Sequence, residues 1–242
     1  MNKILKRKYF FLLPILILAV FIFSGNQVDK CKGYKNPYKL NIVYCIDDYK
    51  KLVAKNPNME LIDLEKSIPG VVLDIRYATN DNFTGEIIYS SAKAFARKPV
   101  SDALRKVQDS LAHHNLGLKI YDAYRPYSAT VKFFEVYPDT IFVAHPKFGS
   151  RHNRGCAVDI SLVDLTSKKE IAMPTKFDDF SKKAHPKYMD LPKEVIRNRT
   201  LLSSIMKHFG FKQYPHEWWH FDFWDHKNYP LTDLTFEELI YK

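Results

Sequence analysis

Ser150-Arg151-His152-Asn153-Arg154-Gly155-Cys156-Ala157-Val158-Asp159-Ile160-Ser161-Leu162-Val163 is the most informative run in the chain. Its second half, Cys156 to Val163, is apolar and β-branched and reads as a strand. Across its two halves a His and an Asp stand seven residues apart, with Gly155 between them. A glycine there lets the backbone turn so that both side chains reach one point. Imidazole nitrogen and carboxylate oxygen are zinc donors, and catalytic zinc sites use three protein ligands. Taken alone the pair is a weak sign, because a His and an Asp in a loop are more often solvated polar residues.

Outward from this strand, helices and strands alternate without a regular rhythm. Val71 to Tyr77 reads as a strand, as does Lys119 to Tyr124, which Pro126 stops. Ser101 is placed to cap a helix carrying Leu104, Val107 and Leu111 and ended by Gly117. Ser128 to Tyr137 reads as a second helix. Pro192 opens a third through Ile196, Leu202, Ile205 and Phe209, closed by Gly210. Phe211 to Tyr214 and Trp218 to Trp224 are the last strands expected. The pattern predicts an α+β single domain, with a central mostly antiparallel sheet flanked by helices.

Two further clusters carry chemistry. Glu217-Trp218-Trp219-His220 offers a third ligand, His220, and a carboxylate, Glu217, suited to act as a general base. Residues three apart on a strand face opposite sides, so Glu217 is expected in the turn after Pro215. At least one of the two tryptophans is expected in the core. Tyr121-Asp122-Ala123-Tyr124-Arg125-Pro126 places Arg125 at a strand end, where it can hold an anion with Asp122 to orient it. Singly, such an arginine is more often an ordinary loop residue.

Together the three motifs resemble the D-Ala-D-Ala dipeptidases of the VanX type, in the order YDxYRP, SxHxxGxAxD and ExWH. These belong to a group of zinc D,D-peptidases related to lysostaphin-type enzymes and the hedgehog fold. The likeness extends to Arg76-Tyr77-Ala78-Thr79, Asp81 to Gly85, Met173 to Asp178, Ser204-Ile205-Met206 and Gly210-Phe211, so it spans roughly residues 61 to 226. It implies one zinc ion held by His152, Asp159 and His220, Glu217 as the base, and Arg125 on the oxyanion. It also implies Asp178 on the substrate ammonium, with Tyr77 and Ser150 at pocket positions. Two residues depart from the family pattern. Pro174 replaces a usual Gly in the loop before Asp178, and Cys156 replaces a usual small residue such as Ser. Cys156 is not expected to be a ligand. The remaining histidines have no partners at ligand spacing, and of these His216 adjoins Glu217.

The resemblance implies hydrolysis of the D-Ala-D-Ala dipeptide, in wall-peptide turnover or glycopeptide resistance. A D,D- or L,D-carboxypeptidase acting on peptidoglycan stem peptides is the nearest alternative. A non-catalytic wall-binding module of the same fold is a second, and an intact Glu217 speaks against it.

The chain has 242 residues, 46% hydrophobic and 14% aromatic, enough for one well-packed core and against disorder. Lys3, Lys6, Arg7 and Lys8 supply four of its ten net positive charges. No later basic run is interleaved with aromatics, so no nucleic-acid partner is expected. The basic stretch precedes an apolar run, Tyr9 to Phe23, then Ser24 and Gly25, the order of an export signal. Ile22 and Phe23 stand where cleavage wants a small residue, so an uncleaved membrane anchor remains an alternative. Residues 1–25 are therefore expected as signal or anchor, 26–58 as a linker, and 59–242 as the peptidase domain, outside the cytoplasm. Export also permits a Cys31–Cys45 disulfide. Val-Asp-Lys before Cys31 lacks the small residues of a lipidation site.

Overall fold

The structure is a computed structural model that describes residues 31, 34 and 36–242. The expected signal or anchor at 1–25 lies outside the described residues. In chain order the elements are β1 (Ile42–Val43), α1 (Ile46–Lys55), β2 (Leu61–Asp63), α2 (Leu64–Ser67) and β3 (Val72–Leu73). Then come β4 (Phe95–Arg97), α3 (Lys98–Ala112), β5 (Leu116–Asp122), α4 (Tyr127–Val136) and β6 (Ala157–Asp164). The last are α5 (Lys193–His208), β7 (Phe211–Gln213), β8 (His220–Phe223), β9 (Leu231–Thr232) and α6 (Phe236–Ile240).

The main sheet has five strands in the order β3-β5-β6-β8-β7. It is mixed: β3 runs parallel to β5, and the other three pairings are antiparallel. The α+β class expected from the sequence is the class found. The strand β6 is buried on both faces, because Val158, Ile160 and Leu162 enter the core while Asp159 and Ser161 on the other face are covered too. α3 lies against β5, and α5 against β6 and β7, with the two helices in contact. α3 buries Val100, Leu104, Val107 and Leu111, an i, i+4, i+7, i+11 stripe. Emptying such a site, as in Leu104→Ala, costs about 2–5 kcal/mol.

Several boundaries differ from the sequence reading. α3 starts at Lys98, with Pro99 in its first turn, so Ser101 lies inside the helix, where its hydroxyl meets that of Ser67 at 2.9 Å. The helix stops at Ala112, and Gly117 lies within β5. Asn115, at φ 57°, makes the turn between them. The strand expected over Val71 to Tyr77 shortens to two residues, and Arg76–Ala78 forms a 3-10 turn.

From residue 36 onward, the segment expected as a linker is part of the fold. α1 buries Tyr49, whose hydroxyl accepts a hydrogen bond from the amide of Leu61 at 2.7 Å, and β1 pairs in parallel with β9. Its lysines and acids form the solvent face of the short amphipathic helix α1, and this gave the stretch a linker-like composition. Cys31 and Cys45 are disulfide-bonded. Among the described residues, no helix is long and apolar enough to cross a membrane.

Candidate active site

Strand register assembles the centre. On β6, Asp159 stands opposite His220 of β8 on one side and opposite Asp122 of β5 on the other. Cross-strand partners project from the same face and touch. A register irregularity in β5 between Ile120 and Asp122 re-aims that strand end toward the site. His152 arrives from the 3-10 turn His152–Arg154, which Gly155 ends at φ 69°. A side chain at Gly155 would meet Leu61 at 2.5 Å, so both the turn and the packing require glycine.

The three donor groups converge. His152, Asp159 and His220 offer ligand atoms that all lie within 4.8 Å of one another. His152 Nδ1 donates to the carbonyl of Ala123 at 2.7 Å, which leaves Nε2 free to face the cluster. That Nε2 stands 3.5 Å from Asp159 Oδ2 and 3.2 Å from His220 Nδ1, and the latter lies 2.9 Å from Asp159 Oδ1. A tetrahedral ion with bonds of about 2.0–2.2 Å sets its donors roughly 3.3–3.6 Å apart. The donor set therefore fits a metal ion in type and number, with separations of 2.9 to 3.5 Å that lie within or a few tenths of an ångström inside that spacing. Burial opposes ionisation of Asp159, but the two imidazoles hold its carboxyl well below the usual range.

Glu217 sits in the turn between β7 and β8, as its spacing from His220 requires. The turn is closed by the Tyr214 amide donating to the His220 carbonyl at 3.0 Å, and by the Gln213 side chain donating to the Trp218 carbonyl at 2.7 Å. Glu217 is buried, with Oε2 3.8 Å from His220 Nδ1. Burial pushes its carboxyl up to about 8, and His220 opposes the shift while the charges of Asp159 and Asp178 add to it. Both tryptophans of the motif are buried, and Trp218 donates its indole N–H to Thr175 Oγ1 at 2.9 Å.

Arg125 is fixed by Asp122. Its Nε and Nη2 donate to Asp122 Oδ2 at 3.0 and 2.8 Å, and its guanidinium lies over the Phe133 ring at 4.6 Å. Asp122 in turn accepts from the Tyr89 hydroxyl and the Ala123 amide. Asp178 adopts φ 60°, an uncommon conformation for a non-glycine residue. Its Oδ1 accepts from the Tyr77 hydroxyl at 3.0 Å, while its buried Oδ2 has no hydrogen-bond partner among the described residues. Burial pushes this carboxyl up to about 7, with the charge of Asp159 adding to the shift.

All eight residues singled out in the sequence (Tyr77, Arg125, Ser150, His152, Asp159, Asp178, Glu217 and His220) line one cavity of about 660 Å³. The model of the peptidase M15 family described as D-ala-D-ala dipeptidase matches residues 57–239. This chain belongs to the D-Ala-D-Ala dipeptidase family.

Among curated members of that family, it is similar to the D-alanyl-D-alanine dipeptidase of Escherichia coli (strain K12), at 36% identity over 75% of this chain and 93% of the relative. It is 31% identical to the D-alanyl-D-alanine dipeptidase of Enterococcus faecalis (strain ATCC 700802 / V583), over 72% of this chain and 95% of that one. Among solved structures, VanYB in complex with D-Alanine-D-Alanine aligns at 14% identity with a TM-score of 0.38, covering 58% of this chain and 77% of that one.

The motifs left several family-site neighbours unread. Asn153 is fully buried and ties two motifs together: its amide donates to the Arg125 carbonyl at 2.9 Å and to Thr130 Oγ1 at 2.8 Å. Its Oδ1 accepts from the Ser150 amide at 2.6 Å. Asp222 lies two residues beyond His220 and so on the same strand face, and strand alternation applied to His220-Phe221-Asp222 would have found it. Ser150 Oγ accepts from the His152 amide at 3.2 Å and so helps fix that turn. His216 does not join the cluster. It packs edge-on against His185 at 4.9 Å, with a buried Nδ1 lacking a partner among the described residues. Cys156 also stands apart, donating to the Arg154 carbonyl.

Proposed function

We propose that this protein hydrolyses the free dipeptide D-Ala-D-Ala with one zinc ion held by His152, Asp159 and His220, and that it does so outside the cytoplasm. The observation that carries the dipeptide reading is Asp178. A buried carboxylate oxygen without a partner, in the same cavity as Glu217 and the His/Asp/His cluster, suits a substrate ammonium. The Tyr77 hydroxyl holds the other oxygen and fixes its direction.

Zinc bound there would act as a Lewis acid and lower the pKa of a water from 15.7 to about 7. Glu217 receives the proton of the attacking water and passes it to the departing amine. Its position beside the cluster, with Oε2 3.8 Å from His220 Nδ1, places the carboxylate for both transfers. Arg125 meets the carbonyl oxygen as negative charge grows on it. Its guanidinium is already oriented by Asp122, so little reorganisation is needed, and losing such a donor costs about 10²–10³ in rate. Tyr77, Phe133 and Trp219 wall one part of the cavity with apolar surface.

The direct test is product analysis. Purified protein given D-Ala-D-Ala should release D-alanine and contain one zinc per chain. Stable dipeptide with a metal-replete protein would reject the reading. A carboxypeptidase acting on stem peptides is the second reading, favoured by a cavity larger than a dipeptide needs. Release of D-alanine from a wall pentapeptide at a higher rate than from the dipeptide would select it. The export reading rests on the basic and apolar order of residues 3–23. Its test is fractionation, with a soluble cytoplasmic enzyme of intact N-terminus as the contrary result. An extracytoplasmic enzyme would serve wall-peptide turnover more readily than resistance, because D-Ala-D-Ala is made in the cytoplasm.

A further inference from the structure

Arg151 adjoins the ligand His152 and lines the cavity, yet none of the roles above uses it. Its guanidinium reaches Asp222 Oδ2 at 3.2 Å, and Asp222 Oδ1 lies 3.0 Å from His220 Nε2. Asp222 thereby ties a cation to the edge of His220 that faces away from Asp159. Arg151 is otherwise open, with its side chain 46% exposed. One contact leaves several of its five N–H donors unused, in a planar fork that matches a carboxylate.

The charges of a free dipeptide decide what that fork is for. At neutral pH such a substrate carries an ammonium and a carboxylate, separated by a span of roughly 7 Å for two extended residues. Asp178 lies on the Tyr77 and Arg125 side of the cluster, and Arg151 lies beyond His220. The carboxylate needs a cation at the far end. Arg125 has Nε and Nη2 committed to Asp122 and its guanidinium held over Phe133. Arg154 donates Nη1 to the carbonyl of Tyr229. Lys227 is exposed, a point charge on a flexible stem that selects no direction. With Arg125 given to the carbonyl oxygen, Arg151 is the remaining cavity cation that a buried partner orients.

We infer that Arg151, held by Asp222, binds the C-terminal carboxylate of the substrate and so restricts the site to peptides ending in a free acid. This rests on the dipeptidase reading. Asp178 and Arg151 then bracket the scissile bond with opposite charges. Because Asp222 contacts both Arg151 and His220, the carboxylate anchor and the cluster share one rigid support.

Calorimetry on the zinc-loaded Glu217→Gln protein, which on the dipeptidase reading should hold substrate without turning it over, tests this. The ligands are D-Ala-D-Ala and its C-terminal amide, which keeps the ammonium and loses the negative charge. The acid should bind about tenfold tighter than the amide. Adding Arg151→Ala should bring the ratio close to one, and Arg151→Lys should leave an intermediate ratio. In the active enzyme, Arg151→Ala should raise KM for D-Ala-D-Ala about tenfold with little change in kcat. A preference for the acid that survives Arg151→Ala overturns the proposal while leaving the dipeptidase reading intact. Loss of zinc, or equal weakening of both ligands, would show that Arg151 merely supports the fold. If D-Ala-D-Ala does not bind the parent protein at all, the dipeptidase reading falls and the carboxylate anchor with it.

Discussion

Asp222 Oδ1 accepts a hydrogen bond from His220 Nε2 at 3.0 Å, which leaves Nδ1 as the ring atom turned toward Asp159 and His152. On the other side of the cluster, the Ala123 carbonyl does the same for His152 through the opposite nitrogen. Both rings are thus held with their protons outward and one donor atom inward. Partners of this kind typically contribute 10–100-fold in metal affinity. Asp222→Ala should therefore weaken zinc binding by about 10–100-fold in a chelator competition. Asp222→Asn, which keeps an acceptor oxygen, should lose less. An unchanged zinc affinity in both variants would remove Asp222 from this role.

The proposed ligand set makes a sharper prediction. His152→Ala, Asp159→Ala and His220→Ala should each lose zinc and activity, because three donors are the minimum for a catalytic site. Chelation of the wild-type protein should abolish turnover, and added zinc should restore it. Full zinc occupancy in any one variant would take that residue out of the set.

The backbone under the cluster is equally specific. Gly155 adopts φ 69°, and a Cβ there would stand 2.5 Å from Leu61 and 3.4 Å from the Arg97 amide. Gly155→Ala combines a left-handed backbone cost with overpacking against a buried leucine, in total about 2–4 kcal/mol. Thermal unfolding should show a large drop in Tm, and zinc affinity should fall with it because His152 lies on that turn. A neutral substitution would mean that the turn relaxes without moving its histidine.

The three motifs were legible because each fits within ten residues and strand register then fixes how they meet. Asp159 and His220 lie 61 residues apart in the chain, but they are direct cross-strand partners. The strand pattern implied each strand without implying that pairing. Contacts made across motifs by ordinary polar residues, such as Asn153 to Arg125, carried no local signal, since an asparagine in a loop looks the same whether solvated or buried. The N-terminal segment was misread for a related reason. α1 is ten residues long and exposes most of them, and only Tyr49 marks its inward face strongly. The parallel pairing of β3 with β5 was also invisible, because two residues are too few to show a period.

Asp178 yields a pH signature. Burial raises its carboxyl to about 7 from an ordinary 3.8. A raised carboxylate favours the folded state while protonated, so its stabilising effect is complete below about pH 4 and is lost as pH rises through about 7. In metal-free protein, Asp178→Asn removes the buried charge. The variant should match the wild type near pH 4 and exceed it above pH 7, by an amount on the order of 2–4 kcal/mol. Denaturant unfolding at several pH values measures this, and a pH-independent difference would contradict it.

The proposed base and the proposed ammonium site separate most clearly when their variants are compared on two substrates. Glu217→Gln keeps the shape of the side chain and removes its capacity to take a proton. Because Glu217 stands beside the cluster rather than in it, zinc should remain bound while kcat falls by at least about 10²-fold. Asp178→Asn should act chiefly through binding instead, raising KM for D-Ala-D-Ala, because it removes the charge opposite the ammonium while Glu217 keeps its carboxylate, whose proton affinity falls somewhat with the loss of the Asp178 charge. The cost is about 2–5 kcal/mol if the pair is fully desolvated, since truncating one partner strands the other. N-acetyl-D-Ala-D-Ala carries no ammonium, so on the wild-type enzyme it should reproduce the loss seen with Asp178→Asn. On the Asp178→Asn enzyme, acetylation should then add little, because the two changes remove the same interaction. Equal cleavage of free and acetylated dipeptide by the wild type would strip Asp178 of this role and make the carboxypeptidase reading the better one.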